Sequence, residues 1–480
     1  MNDLHCNKHE TGSESLNQTQ PVSQNGISRR GFFKLAGIAA AAGAAGVSFP
    51  KGAGAAPSKL LSLDASLPNK VFWKGVQKQF IIDPKVVYMN IGTTGSMPQQ
   101  ILKNYQKYNE LAAFHPRTFE AELGADFGLP AQRAELAAQF GCNADEICLS
   151  RNTTDGMDAI LFGLNFQEGD EILTTHHEHI AALSPLNVLR DRYKVKVTEL
   201  EIPVLDTASE DQFVDLFARN ITKNTKAILF SHITYKTGTR LPAKALCTLA
   251  RENGLISIVD GAHGPGMLKL DFHDMGCDFY AGPGHKWQCG PGGTGILYLR
   301  NHGDDLPEFW TQNASTYTFV AQPVKNDRSK YDIGMAMQYR GQMDVSAHLA
   351  MVDACKMWEE IGREKIEEYV CSLSSYLKKS LAQKYGEAGT FFAPDIPEFS
   401  TGLTSFNPFA NLEAGDKIQA LVARLESEAG YQVRYTDFHL HAGDTKPTYA
   451  LRISTHIFHN RAQVDGLVDA LYDLSLQIEG

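Results

Sequence analysis

The chain has 480 residues, 43% hydrophobic and 21% charged, with a formal net charge of −10. That length predicts two lobes rather than one simple core. The acidic balance excludes nucleic acid and anionic membrane as partners, because both select cationic faces. No apolar run is long enough to span a bilayer, so no permanent membrane insertion is expected.

In chain order, a polar stretch over 1–27 leads into Ser28-Arg29-Arg30-Gly31-Phe32-Phe33-Lys34, then a mild alanine- and glycine-rich segment and Ala53-Gly54-Ala55. This pattern resembles a twin-arginine export signal over 1–55 with a small-residue cleavage site, and it implies a bacterial periplasmic location. That route carries folded proteins, so an enzyme that loads its cofactor in the cytoplasm has a physical reason to use it. Cys6 lies in the signal, and Cys142, Cys148, Cys247, Cys277, Cys289, Cys355 and Cys371 are scattered. Their spacing fits neither a disulfide framework nor a zinc site, and they read as buried small apolar residues.

Residues 56–85 read as an arm or linker. From there to 338, strand-like runs (86–90, 147–150, 171–175, 196–200, 227–232, 255–260) alternate with helical periods (98–114, 129–140, 155–164, 181–192, 211–219, 243–252). Such alternation predicts an α/β domain with a mainly parallel central sheet and helices on both faces. Ligands then sit beyond the carboxyl ends of the strands. From 339 onward, long helices (345–361, 365–384), short strands (402–406, 432–435, 449–454) and a final helix (461–477) predict a smaller α+β domain.

One stretch carries the chemistry. The apolar run 255–259 stops at Asp260, followed by Gly261-Ala262-His263, and a glycine-rich loop 26 residues on holds His285, Lys286 and Trp287. A strand-end carboxylate and a loop lysine fit pyridoxal phosphate. The lysine is its Schiff-base anchor and the aspartate the partner of its ring nitrogen. The following Gly-Pro-Gly-Gly-Thr-Gly run is not a nucleotide loop, because it lacks the Gly-Lys-Ser/Thr ending. Asn152-Thr153-Thr154-Asp155-Gly156, between a strand and a helix, reads as a phosphate cradle or as an ordinary cap made by Thr154 or Asp155. His176-His177-Glu178-His179 admits a metal reading, but no second ligand cluster accompanies it, and no metal is expected.

Seven segments recur in family order: VYMNIGTTGSMP, LSRNTTDGMDAILFGL, GDEILTTHHEHIAAL, FSHITYKTG, VDGAHGPG, GHKWQCGPGGTG and LRISTHIFHN. Together they resemble the class V aminotransferase fold, a fold-type I pyridoxal-phosphate transferase. Within it they resemble the isopenicillin N epimerase-like branch, with its exported enzymes of periplasmic pyoverdine maturation. The resemblance implies phosphate contacts from Thr153, Thr154 and His285, His179 stacked on the cofactor ring, and His263 and Thr234 near its phenolic oxygen. It places Asn90, Thr93 and Thr94 beside the substrate and Arg452 on the substrate α-carboxylate, a structural ion pair being the alternative for that arginine. Tyr339-Arg340-Gly341-Gln342 resembles a segment that crosses a homodimer interface to the partner's phosphate, with glutamine where relatives carry threonine. Pro283 replaces a hydroxyl or amide residue at another phosphate position.

Cysteine desulfurases of this fold need a nucleophilic cysteine shortly before the carboxylate arginine. Residues 435–443 hold none, and offer His439 and His441 as proton carriers or acid-binding groups near the entrance. The expected activity is aminotransfer or epimerisation of an amino acid or peptide-like, siderophore-type substrate. Decarboxylation, a cysteine or selenocysteine lyase and a catalytically silent binding protein are the alternatives. Loss of Lys286 or Asp260 would have marked the silent form, and both are present.

Overall fold

A computed structural model describes residues 60, 69–207, 209–312 and 332–479. The twin-arginine motif and its cleavage site lie outside these residues.

Thirteen strands are named here in chain order. They are β1 (Val87–Tyr88), β2 (Ile147–Ser150), β3 (Glu171–Thr175), β4 (Lys196–Leu200), β5 (Thr225–Ser231), β6 (Ile256–Asp260), β7 (Phe279–Pro283), β8 (Gly295–Leu299), β9 (Thr390–Phe391), β10 (Leu403–Asn407), β11 (Tyr431–Gln432), β12 (Arg434–Phe438) and β13 (Thr448–Ser454).

The main sheet has seven strands in the order β2-β8-β7-β6-β5-β3-β4. All run parallel except β8, which is antiparallel to both neighbours. Strands β2, β3, β7 and β8 are buried along their whole length, as a sheet covered on both faces requires. Because six strands share one direction, Ser150, Thr175, Ser231, Asp260 and Pro283 finish at the same edge. The Asn152–Gly156, His176–His179, Thr234, His263 and Lys286 positions each follow one of those ends, whereas Asn90, Thr93 and Arg452 come from outside this sheet. The sheet was legible as strand–helix alternation. The antiparallel β8 was not, since a glycine-flanked apolar run carries no sign of its direction.

A second sheet, β12-β13-β10-β9, is antiparallel throughout and packs against the helices Arg363–Tyr385, Gly415–Ala429 and Arg461–Glu479. Two features depart from the sequence reading. Within the expected arm, Asn69–Gln77 form a helix that buries Phe72, Trp73 and Val76. The 87–95 segment pairs with the C-terminal part of the chain, β1 running parallel to β11 and the Met89 carbonyl accepting from Ser454 N at 2.9 Å. It then turns to the lysine loop, where Gly95 N donates to His285 O at 2.7 Å. Asn90 and Thr93 are thereby carried between the two sheets. All seven cysteines after Cys6 are free thiols, and among the described residues no helix is long and apolar enough to cross a membrane.

Candidate active site

Asp260 is buried at the end of β6, the middle strand of the main sheet. Its Oδ1 accepts from the Ala262 amide at 2.9 Å, while Oδ2 has no partner. Burial raises its pKa, an effect the Ala262 hydrogen bond and the Lys286 charge oppose. A buried carboxylate oxygen without a donor is costly unless a ligand supplies one.

Lys286 lies in the loop between β7 and β8. Burial pushes its amine down to about 8, with Asp260 raising it and Arg452 and Arg434 lowering it. The loop is gripped tightly. A Cβ on Gly95 would lie 2.1 Å from the Lys286 carbonyl oxygen. Gly266 adopts φ +87°, and a Cβ there would lie 2.1 Å from the Gln288 amide nitrogen. Backbone approaches this close admit glycine alone. The LRISTHIFHN motif supplies the other clamps: His456 Nε2 bonds to the Trp287 carbonyl at 2.8 Å and His459 Nε2 to the Tyr88 carbonyl at 2.8 Å.

His263 faces the same space. Its Nδ1 accepts from Trp287 Nε1–H at 3.0 Å, and burial holds its pKa well below the usual value. The ring is therefore neutral with its proton on Nε2, and that buried N–H has no acceptor. His179 caps the Ile180–Tyr193 helix, its Nδ1 accepting from the Ala181 amide at 3.1 Å. It meets the Tyr235 ring edge-on at 4.8 Å. Burial lowers its pKa to about 4, followed by the charges of Lys286, Arg452, Arg434 and Lys236.

The Thr153–Gly163 helix starts just beyond β2 and presents its N-terminus to this edge. Its cap is Asn152, whose Oδ1 accepts from Asp155 N at 2.9 Å, rather than Thr154 or Asp155. Thr153 is buried with an unpartnered hydroxyl, whereas Thr154 is exposed. Asp155 accepts from Arg340 Nη1 at 2.6 Å, and the second terminal nitrogen of Arg340 is buried without a partner. His285 has an unpartnered buried Nδ1 as well. Gln342 is exposed two residues beyond Arg340.

Arg452, on β13, is 2% exposed and has no carboxylate partner among the described residues. It donates to the Tyr235 carbonyl at 3.2 Å, Asn90 Oδ1 at 3.4 Å and Thr93 Oγ1 at 2.9 Å, and its Nε is unpartnered. Among the described residues it forms no ion pair. Thr94 is exposed, its hydroxyl 3.5 Å from the His285 carbonyl.

Two of the expected site residues, Thr234 and His441, have side chains engaged elsewhere. The Thr234 hydroxyl bonds to Thr237 and accepts from Thr239 N at 3.2 Å, closing a local turn. His441 pairs with Glu201 at 2.8 Å in a groove lined by residues 201–206, not by the lysine loop. His439 is exposed, and its carbonyl bonds to the buried His177 ring at 2.9 Å. His176 likewise bonds to the Leu440 carbonyl at 3.3 Å. That histidine pair secures the loop after β12.

Residues not singled out from sequence also matter. Glu178 is fully buried and joins the ends of β3 and β5. It accepts from Thr175 Oγ1 at 2.5 Å, Ser231 N at 3.1 Å and Ser231 Oγ at 2.6 Å. Burial raises its carboxyl to about 7, and Asp260 adds to the rise. The buried Glu between two histidines was the available signal. Arg434 sits opposite Arg452 on β12 and donates to the same Thr93 hydroxyl at 3.4 Å.

The comparisons bear on this arrangement. The class V aminotransferase family model, "Aminotransferase class-V", matches residues 87–467. The chain belongs to this family. Isopenicillin N epimerase of Streptomyces clavuligerus is 27% identical over 408 residues, 83% of this chain and 97% of that protein. A probable cysteine desulfurase of Mycobacterium leprae is 26% identical over 305 residues, 59% of this chain and 68% of that protein. Among solved structures, a cystine C–S lyase complexed with cysteine persulfide superposes with TM-score 0.69 at 24% identity, covering 81% of this chain and 98% of that one. The fold is that of the fold-type I enzymes, and the cofactor is pyridoxal phosphate. The site fits that cofactor. Asp260 Oδ2, His263 Nε2, Thr153 Oγ1 and His285 Nδ1 are all buried without partners around a lysine whose amine burial depresses.

Proposed function

We propose that this chain acts on the amino-bearing Cα of an amino acid or peptide-like substrate, with epimerisation favoured over aminotransfer. The observation that carries the reading is the pairing of a buried, depressed amine at Lys286 with a buried guanidinium at Arg452 that meets no carboxylate among the described residues. Bound among these residues, pyridoxal phosphate supplies an electron sink that acidifies the substrate Cα–H. Asp260 Oδ2 would hold the proton on the ring nitrogen, and His263 Nε2–H would donate to the phenolic oxygen. Thr153, His285 and the helix N-terminus behind Asn152 would hold the phosphate. The Lys286 amine takes the Cα proton while Arg452 fixes the α-carboxylate through its planar fork.

Epimerisation is favoured because two isopenicillin N epimerases, at 27% and 26% identity, align over 97% and 98% of their own lengths. C–S cleavage of cysteine is the second reading, supported by desulfurase relatives such as that of Mycobacterium leprae. It would have to proceed without an enzyme persulfide. Burial pushes the Cys148, Cys247, Cys289, Cys355 and Cys371 thiols up, and none lies in the 435–443 loop. The proposal also includes twin-arginine export to the periplasm, a siderophore-type peptide substrate, and a homodimer in which Gln342 reaches the partner's phosphate. The test is turnover of amino acids and N-terminal peptides in deuterated water. Epimerisation gives Cα-deuterated product of inverted configuration with no keto acid. Keto acid formed in step with substrate loss means aminotransfer, and sulfide release from cysteine establishes the second reading.

A further inference from the structure

We propose that Arg434 forms a second anion subsite beside Arg452, so that the substrate carries another carboxylate in addition to its α-carboxylate. The inference rests on the reading of Arg452 as the α-carboxylate ligand and narrows the substrate class.

β12 and β13 pair antiparallel with Arg434 directly opposite Arg452. Like charges facing one another across a strand pair destabilise it, so this register carries a cost unless an anion joins them. No carboxylate of the described residues forms an ion pair with either guanidinium. Arg452 meets only neutral oxygens, those of Tyr235, Asn90 and Thr93. Arg434 donates to Thr93 Oγ1 at 3.4 Å, so two cations converge on one hydroxyl.

Their surroundings add positive charge. Lys236 Nζ donates to the Asp437 carbonyl at 2.8 Å and lies 5.1 Å from the Tyr235 ring centroid. Lys286, Arg452, Arg434 and Lys236 all act on the single His179 ring. Of the neighbouring acids, Glu178 is turned to Thr175 and Ser231 and Glu201 to His441, while Asp260 lies at the end of β6 and acts on Lys286. A chain of net charge −10 thus brings Arg452, Arg434 and Lys236 to bear on one histidine beside the lysine anchor, the arrangement that attracts an acidic ligand. Depth sorts the two arginines. Arg452 is buried near Lys286 and Arg434 is exposed on the neighbouring strand. A substrate whose α-carboxylate reaches Arg452 would leave its distal acid at Arg434, as in an acidic amino acid or a peptide with a second carboxylate.

The test is calorimetric binding of unreactive acids to the holoenzyme: succinate, glutarate and adipate against butyrate, with wild type, Arg434→Gln and Arg452→Gln. At least one diacid should bind about tenfold or more tightly than butyrate, and Arg434→Gln should erase that preference while changing butyrate binding by less than about threefold. Three results overturn the proposal. One is the absence of any diacid preference, and another is a preference that survives Arg434→Gln. In the third, Arg434→Gln weakens butyrate as much as the diacids, which means that both arginines clamp one carboxylate. Butyrate binding indifferent to Arg452→Gln instead sinks the α-carboxylate reading, and the second subsite with it, so the responsible variant identifies which claim failed.

Discussion

Replacing Arg452 with methionine should separate binding from stability. Burial, then the charge of Arg434, holds this guanidinium down to about 10 from 12.5. At about 1.4 kcal/mol per pH unit, that corresponds to on the order of 3 kcal/mol of charge burial without a counter-charge. Methionine keeps the apolar stem and removes the charge. Against that gain stand hydrogen bonds to the Tyr235 carbonyl, Asn90 and Thr93, each about 1 kcal/mol, and Thr93 retains its bond to Asn90 Oδ1 at 2.9 Å. The two sides nearly cancel, so the melting temperature should move by only a few degrees. Substrate recognition should fall by about 3 kcal/mol, roughly a hundredfold in kcat/KM, because a charge-assisted bidentate contact is lost. Thermal melts of apo and holo protein, run beside kcat/KM for a carboxylate substrate and for an amine lacking one, read both quantities. A variant that unfolds, or keeps its kcat/KM, would refute the argument. Indifference of the simple amine to the change would strengthen it.

Other expectations follow from the same groups. An amine depressed to about 8 is mostly neutral above that pH, so the rate of cofactor capture by the apoenzyme should rise through about pH 8 and then level. A rate still climbing toward 10.5 would show that Lys286 titrates like a solvated lysine. Glu178→Gln should cost less than about 1 kcal/mol, because an amide still accepts from Ser231 N. Glu178→Ala orphans the Ser231 amide and two hydroxyls and should cost about 3 kcal/mol or more, read by urea denaturation. Changing Arg29 and Arg30 together to lysine should leave folded, cofactor-loaded protein in the cytoplasm. Periplasmic recovery of the double variant through the general secretory route would contradict export after folding.

What could be read from the chain and what could not divide along physical lines. Asp260 and Lys286 were legible because a buried strand ending in an acid and a lysine in a glycine loop have few other uses. The Ile147–Ser150, Glu171–Thr175 and Lys196–Leu200 strands were legible in full from their bounded β-forming runs. The direction of β8 was not, since it depends on register with Phe279–Pro283 and Ile147–Ser150. Arg434 looked like any surface arginine, and only the antiparallel pairing sets it against Arg452. His441 and Thr234 illustrate the opposite case. Each lies near the site in sequence, but a closer partner, Glu201 or the Thr237–Thr239 turn, takes the side chain. The helix Asn69–Gln77 is short and its apolar residues fall on one face, and its burial depends on docking against residues 361–369.

The central claim is that Lys286 anchors pyridoxal phosphate, and borohydride reduction of the purified protein followed by peptide mass mapping tests it most directly. Lys378 is the proper control, a second buried lysine depressed to about 8 whose amine donates to the Pro394 carbonyl at 2.8 Å, with no unpartnered carboxylate facing it. The account predicts loss of the visible absorbance band and a phosphopyridoxyl mass on the peptide containing Lys286 alone. An adduct on Lys378, or a visible band that survives in Lys286→Ala, would contradict it.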